Sequence, residues 1–311
     1  MMTILKMFRN VCFPYHARNT FCFPKISKTD YEIIRKQCEA FCDTVVDEIL
    51  STRKDCSTLL FTPKKQINNL KVISKYGDWL GPVIKKNNKY YRCVKKESVD
   101  KFKMLWGSGV LEVFSNKGYL PKMSISEYYS DEYPIIIEQE KLDVMDITKL
   151  SLEQSKKALL FVSMLQHICK KMGYALIDPH YFNYTFYNNR FIYYDLGSFS
   201  TIKEYFKYRD YSMVVLGAYR ILFSYFPDSI LSKQDLGEFR CDTKVSYRDD
   251  YFEYVFYKKT TYKYCRNHCS KTIGGAFKEI FSKYECTPWN VITCFLPERK
   301  NDVDKLLGEI M

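Results

Sequence analysis

The chain has 311 residues, and its 48 Lys and Arg against 36 Asp and Glu give a formal charge of +12. That length fits one large domain or a two-lobed one, and the charge favours an anionic partner. No apolar run reaches the roughly 20 residues that cross a bilayer; the most apolar window, Ala158 to Cys169, is broken by Ser163, Gln166 and His167. The basic residues are spread along the chain as Lys pairs and form no recognisable nucleic-acid module, so nucleic acid is not an expected partner.

Residues ahead of about Lys28 mix Pro and aromatic residues without a period, and they carry no secretory-signal pattern. Reduced, buried thiols are therefore expected for the 12 cysteines rather than a disulfide framework. Thr29 and Glu32 have the spacing of a capping box and predict a helix through about Leu50. Its apolar face, Ile34, Cys38, Phe41, Val45 and Ile49, keeps the helical period. Cys38 and Cys42 fall one turn apart on that face. This helix and the polar stretch from Ser51 to Lys71 read as an N-terminal helical extension, residues 1–71, packed on the unit that follows.

From Val72 the texture turns to strands. Pro82 to Ile84 and Tyr90 to Val94 flank Asn87-Asn88 and predict a hairpin. Ser98 to Lys117 reads as helix, with an interruption at Gly107-Ser108-Gly109. Lys122 to Tyr128 and Tyr133 to Gln139 read as two further strands. Residues 72–142 thus form a sheet-rich unit, and residues 143–311 a mostly helical one. Ser151 with Gln154 is a second capping box, opening a helix to about Met172 with Leu159, Val162, Leu165, Ile168 and Cys169 inward. Farther on, Tyr211 to Tyr225 reads as an apolar helix and Asp228 to Asp250 as loop. Cys265, His268 and Cys269 lack a second ligand pair at zinc spacing and read as ordinary thiols and imidazole.

The stretch from Gly173 to Phe199 is the richest in chemistry. Tyr184 to Phe186 and Phe191 to Tyr194 predict a hairpin closed by Asn188-Asn189, since Asn tolerates the positive φ of a tight turn. That hairpin brings Asn183 beside Asp195. Two hard oxygen donors placed this way suit Mg²⁺, and Asp178, just upstream, is positioned to orient or deprotonate a hydroxyl. Simple turn and cap roles for Asp178, Asn183 and Asp195-Leu196-Gly197 are the alternative. His180 reads as packing beside the loop, and Ser198 as bonding within it.

These residues resemble the protein-kinase-like fold, in particular its small-molecule and sugar kinase branch, which includes lipopolysaccharide core-type kinases. Closer still is the kinase-like module attached to bacterial methyltransferases of surface-glycan and nodulation-type loci. The matching residues are Tyr91-Arg92, Ser108-Gly109-Val110, Leu176-Ile177-Asp178 through Asn183, and Asp195-Leu196-Gly197-Ser198-Phe199. The resemblance covers about Gly77 to Tyr225. It implies an α+β, bilobal fold with a small antiparallel-sheet N-lobe and a mostly helical C-lobe. It also implies ATP and Mg²⁺ as cofactors, with Asp178 as base and Asn183 and Asp195 as metal ligands. Glu138 to Asp146 would be the hinge, with Glu138 at the nucleotide.

A lobe of this kind needs a strand cation for the phosphates and a helix acid to orient it. Strand alternation puts Cys93 and Lys95 on one side, Arg92 and Val94 on the other. Lys95 is the first choice for the cation, with Arg92 and Lys96 as rivals and Glu112 as its acid. The chain departs from the family in having only Gly77 and Gly81 where a glycine-rich loop is expected, and Leu176-Ile177 where protein kinases carry His-Arg. The activity implied is phosphoryl transfer from ATP to a hydroxyl of a sugar or surface-glycan precursor. The alternative is a pseudokinase scaffold partnering a methyltransferase or glycosyltransferase. Expected partners are a nucleotide and an anionic glycan, and the expected location is the cytoplasm, with contact to the inner face of the membrane.

Overall fold

The structure, a computed structural model, describes residues 26–59, 61–67, 71–74, 79–143, 145, 150–177, 183–203 and 287–311. Helix α1 spans Lys28–Thr52. Its N-cap is Ser27, whose hydroxyl accepts the Asp30 N–H at 3.0 Å. The cap therefore lies two residues ahead of the expected Thr29, which is already inside the first turn. The buried stripe is Ile34, Cys38, Cys42, Val45 and Ile49. Cys42 takes the inward position expected for Phe41, which is only partly buried.

Strands β1 (Lys65–Gln66), β2 (Val72–Ser74), β3 (Val83–Lys86) and β4 (Lys89–Val94) follow. The expected hairpin forms between β3 and β4, and Asn87 (φ 48°) and Asn88 (φ 61°) both take the left-handed backbone of its two-residue turn. A 3₁₀ turn at Lys96–Ser98 leads into α2 (Val99–Gly107) and α3 (Val110–Lys117). The break between the helices falls at Ser108-Gly109, within the expected interruption. Gly109 has φ 83°, and an added Cβ would stand 2.6 Å from the Ile49 carbonyl oxygen at the end of α1. The close approach of α1 thus requires glycine here. Strands β5 (Met123–Ile125), β6 (Tyr128–Tyr129) and β7 (Ile135–Gln139) complete this part.

The main sheet is antiparallel throughout, in the order β2-β3-β4-β7-β5. Its faces are distinct. Val94, Ile135 and Ile137 join Leu80 and the helices in the large core. Ile84, Tyr91, Cys93 and Ile136 turn outward and form a small second cluster with Ile67 and Tyr133. The segment after α1 straps across this half. Lys54 N–H donates to the Gly107 carbonyl (2.8 Å), Phe61 packs on Phe102 and Trp106, and β1 pairs in parallel with β6.

Helix α4 (Leu152–Lys171) opens on the expected capping box: Ser151 Oγ accepts the Gln154 N–H, and Gln154 Oε1 accepts the Ser151 N–H. Then come β8 (Tyr174–Leu176), β9 (Tyr184–Tyr187), β10 (Arg190–Tyr193) and β11 (Phe199–Thr201). Near the C-terminus lie α5 (Pro288–Phe295) and α6 (Val303–Ile310). Helix α1 packs against α3, α4, α5 and α6, so its apolar stripe lies inside one continuous core. The architecture is α+β, antiparallel sheet on one side and helices on the other.

The five described cysteines are free thiols; Cys38, Cys42, Cys93 and Cys169 are buried and Cys56 is exposed. Burial pushes the Cys42 and Cys93 thiols up to about 12, which keeps them protonated and unreactive. Among the described residues no helix is long and apolar enough to cross a membrane. The segments 211–225 and 228–250, with Cys265, His268 and Cys269, lie outside the described residues.

Candidate functional site

The site is built from two chain segments fastened side by side. Strand β8 pairs antiparallel with β11, matching Leu176 to Phe199 and Tyr174 to Thr201. Just past that ladder, Ile177 N–H donates to the Ser198 carbonyl at 2.8 Å. Strands β9 and β10 pair from Tyr184↔Tyr193 to Tyr187↔Arg190, with Asn188 (φ 50°) and Asn189 (φ 60°) in the turn. Beyond their open end, Tyr194 N–H donates to the Asn183 carbonyl, also at 2.8 Å. The run from Ile177 to Asn183 is therefore tied at its first residue to Ser198 and at its last to Tyr194. These are the residues that flank Asp195 and its turn. Asp178 and His180 lie outside the described residues.

Helix α4 anchors this frame through one polar side chain. Buried Gln166 accepts the Leu176 N–H on Oε1 (2.7 Å) and donates to the Leu176 carbonyl from Nε2 (3.3 Å). The amide side chain continues the sheet ladder from the helix side, satisfying backbone groups that burial would otherwise leave unpaired. In sequence Gln166 looked only like a break in an apolar window. The available signal was a polar residue amid buried positions, with Leu165 before it and Ile168 after.

Asp195 caps the 3₁₀ turn Leu196–Ser198, its Oδ1 accepting the Gly197 N–H at 3.1 Å. Burial pushes its carboxyl above the usual carboxylate range, and the Arg92 charge and the Gly197 N–H pull it back down. Arg92 is buried at 6% exposure, on the sheet face that points into the large core, between cross-strand neighbours Val83 and Ile137. Burial pushes its guanidinium down, and the strongest charge holding it up is Asp195. A buried cation and a carboxylate thus face one another across the gap between β4 and the Asp195 turn.

The other expected residues fall elsewhere. Strand β4 ends at Val94, and Lys95 begins the 3₁₀ turn, its N–H donating to the Leu80 carbonyl at 2.8 Å. The alternation was read correctly, but the side toward the core carries Arg92, not Lys95. Lys96 is exposed. Glu112 is engaged by Lys54 of the strap, Nζ to Oε2 2.6 Å, on the surface, and so orients neither Lys95 nor Arg92. Glu138 lies in β7, and its carboxylate accepts from Lys89 at 2.6 Å. Ser198 is buried within the Asp195 turn. Gly81 lets the chain press on β4, since an added Cβ would stand 2.9 Å from the Cys93 carbonyl oxygen. Gly77 lies outside the described residues.

Asn183 and Asp195 supply two hard oxygen ligands from adjacent strands, and no other side chain hydrogen-bonds the Asp195 carboxylate among the described residues. Two protein oxygens completed by water and phosphate is a common Mg²⁺ arrangement. Among the described residues no three His, Cys, Asp or Glu converge as a metal cage. No protein-family model and no curated protein matches this chain.

Proposed function

We propose that the protein is an ATP- and Mg²⁺-dependent phosphotransferase of the kinase-like fold, acting on a hydroxyl of a sugar or surface-glycan precursor. The observation that carries this reading is the double tie of the Ile177–Asn183 run to the Asp195 turn, with the buried Arg92 charge opposite. In this reading Asn183 and Asp195 hold Mg²⁺ and Arg92 holds the nucleotide phosphates. Asp178, next in sequence to the anchored Ile177, accepts the proton of the acceptor hydroxyl. The metal, when bound, neutralises charge on the transferring phosphoryl group, and the chain's part is positioning and exclusion of water. A guanidinium suits the phosphate role because its planar fork matches phosphate oxygens. The +12 charge supports an anionic acceptor or an anionic membrane face as partner; the sugar class rests on the sequence resemblance alone.

A second reading, a nucleotide-binding scaffold for a methyltransferase or glycosyltransferase, is favoured by one observation: Glu112 is held by Lys54, away from the phosphate cation. Two measurements decide. A ligand that binds only the folded state raises the melting midpoint, so ATP should raise it only with Mg²⁺, and Asp195→Ala should abolish the rise. Turnover on a panel of glycan precursors, lost in Asp178→Ala with ATP binding retained, separates enzyme from scaffold. Absence of any shift at millimolar ATP would overturn both readings.

A further inference from the structure

One group of contacts near the Asp195 turn plays no part in the roles assigned above. Trp79 precedes β3, 120 residues before β11 in sequence, yet its indole Nε1–H donates to the Phe199 carbonyl at 3.1 Å. Its own carbonyl accepts from the Ser98 hydroxyl at the start of α2. Lys101, on the first turn of α2, places its ammonium over the Trp79 ring, 4.5 Å from the centroid, and donates to Ser200 Oγ at 3.4 Å. One turn along the same helix face, the Met104 carbonyl accepts from the Tyr174 hydroxyl on β8 at 3.1 Å. Helix α2 and Trp79 thus grip both strands of the β8/β11 pair. Phe199, the gripped residue, follows the Asp195 turn directly and packs on Phe114 and Tyr193.

We propose that Trp79 and Lys101 are positioning residues that clamp β11 and so fix the Asp195 turn in the geometry that receives Mg²⁺ and nucleotide. The physical case has three parts. The indole is a donor-only group whose hydrogen bond ends on backbone, so it constrains the path of the chain rather than a mobile side chain. The ammonium over its face adds a cation–π attraction that fixes the ring plane. The same ammonium reaches Ser200, so one side chain ties the clamp to the clamped strand. Partners of this kind behind a metal ligand govern its orientation, and their loss weakens metal binding without removing a ligand. The inference rests on the phosphotransferase reading for what the turn binds, but not for the clamp itself.

The test uses the full chain and three variants: Trp79→Phe, which keeps a ring and removes the donor, Lys101→Met, and Lys101→Arg. Amide exchange is followed at Gly197 and Ser198, whose N–H groups bond to the Asp195 side chain and carbonyl. The Mg²⁺ concentration giving half the ATP-dependent thermal shift is measured in parallel. Trp79→Phe and Lys101→Met are expected to speed exchange at both amides and raise the Mg²⁺ requirement, each by about five- to tenfold. Lys101→Arg is expected to restore both. Unchanged exchange and unchanged Mg²⁺ requirement in Trp79→Phe and Lys101→Met overturn the proposal. A wild type with no Mg²⁺-dependent ATP shift overturns the phosphotransferase reading instead. Exchange then decides alone: faster exchange upholds the clamp on the turn, and unchanged exchange overturns it.

Discussion

Replacing Arg92 by Met is the sharpest perturbation of the candidate site. Methionine keeps an unbranched stem of similar length, so packing against Val83 and Ile137 is largely retained while the charge is lost. Two consequences follow from the geometry, and they differ in size and origin. In the protein without ligand, Asp195 loses the charge that opposes its desolvation. Breaking a fully buried pair costs about 3–5 kcal/mol; Asp195 retains some contact with water, so a loss of about 1–3 kcal/mol is expected. Pairing the change with Asp195→Asn, which keeps an oxygen for the Gly197 N–H, should return most of that stability. The double-mutant cycle would then give a coupling above about 0.5 kcal/mol, the additivity limit for independent sites. With nucleotide, the lost charge-assisted contact to phosphate is worth about 1.5–3 kcal/mol, or about ten- to a hundredfold in the ATP dissociation constant. Chemical denaturation reads the first effect and calorimetric titration with ATP and Mg²⁺ the second. Lys95→Met serves as the control and should leave ATP affinity within about twofold. Arg92→Met binding ATP as tightly as wild type, or Lys95→Met losing the affinity instead, would refute the assignment of the phosphate cation.

Gly109→Ala places a methyl group 2.5 Å from Thr52 Oγ1 and 2.6 Å from the Ile49 carbonyl oxygen, at φ 83°. A loss of about 2–3 kcal/mol in urea unfolding is expected, and a loss under 0.5 kcal/mol would mean that α1 does not press on the α2–α3 break. Glu309 accepts from Lys157 (2.9 Å) and Arg299 (3.0 Å), which hold its carboxyl down at about 2 against an ordinary 4.5. Because the folded value is depressed, this stabilisation is complete above pH 4.5 and disappears as pH falls toward 2. Glu309→Gln should flatten the acid limb of the stability profile in that window, and an unchanged limb would count against the ion cluster. His167 packs edge-on against Trp289 (5.1 Å), its Nε2 buried without a hydrogen-bond partner among the described residues. Burial, then the nearby Lys171 charge, pushes its imidazole below 6.5. The unfolded chain therefore takes up the proton first, and stability falls as pH drops below 6.5. His167→Phe should remove that slope at little cost near neutrality, which a melting-midpoint series from pH 8 to pH 5 would resolve.

The local features of this fold were legible because each has a short-range physical cause. Asn87-Asn88 and Asn188-Asn189 sit between apolar runs and are among the few residues that accept consecutive positive φ, so both hairpins could be placed. Ser151 and Gln154 announce a helix start three residues apart. The first helix start was less determinate, since Ser27 with Asp30 and Thr29 with Glu32 are overlapping candidates, and only the observed bond to the Asp30 N–H selects the first. Contacts between distant segments carried no local trace. Lys54 meets Glu112 across 58 residues and Trp79 meets Phe199 across 120, and nothing in either neighbourhood specifies the partner. Arg92 illustrates the boundary between the two. The two-residue period correctly paired it with Val94, but which face meets the core depends on where β7 and the helices lie, which no single strand encodes.

The choice of Arg92 and the scarcity of glycine fit together physically. Glycine-rich loops hold phosphates by letting backbone N–H groups approach closely. Here Gly81 serves a different close approach, that of its own chain to the Cys93 carbonyl, and the neighbouring Lys95 N–H is committed to Leu80. Those backbone groups are engaged in joining the segment to β4. A site of this kind must take more of its phosphate affinity from side-chain charge, and a guanidinium can offer several directed donors where an ammonium offers a point charge. Holding that guanidinium buried requires a counter-charge, and Asp195 supplies it before ligand arrives. On binding, Mg²⁺ takes over the carboxylate and the phosphates take over the guanidinium, so the two charges that stabilise one another in the empty site exchange partners together. ATP affinity should therefore depend more steeply on Mg²⁺ in wild type than in Arg92→Met, because only the wild type couples the two exchanges. Equal Mg²⁺ dependence in the two proteins would mean that Arg92 and Asp195 act separately.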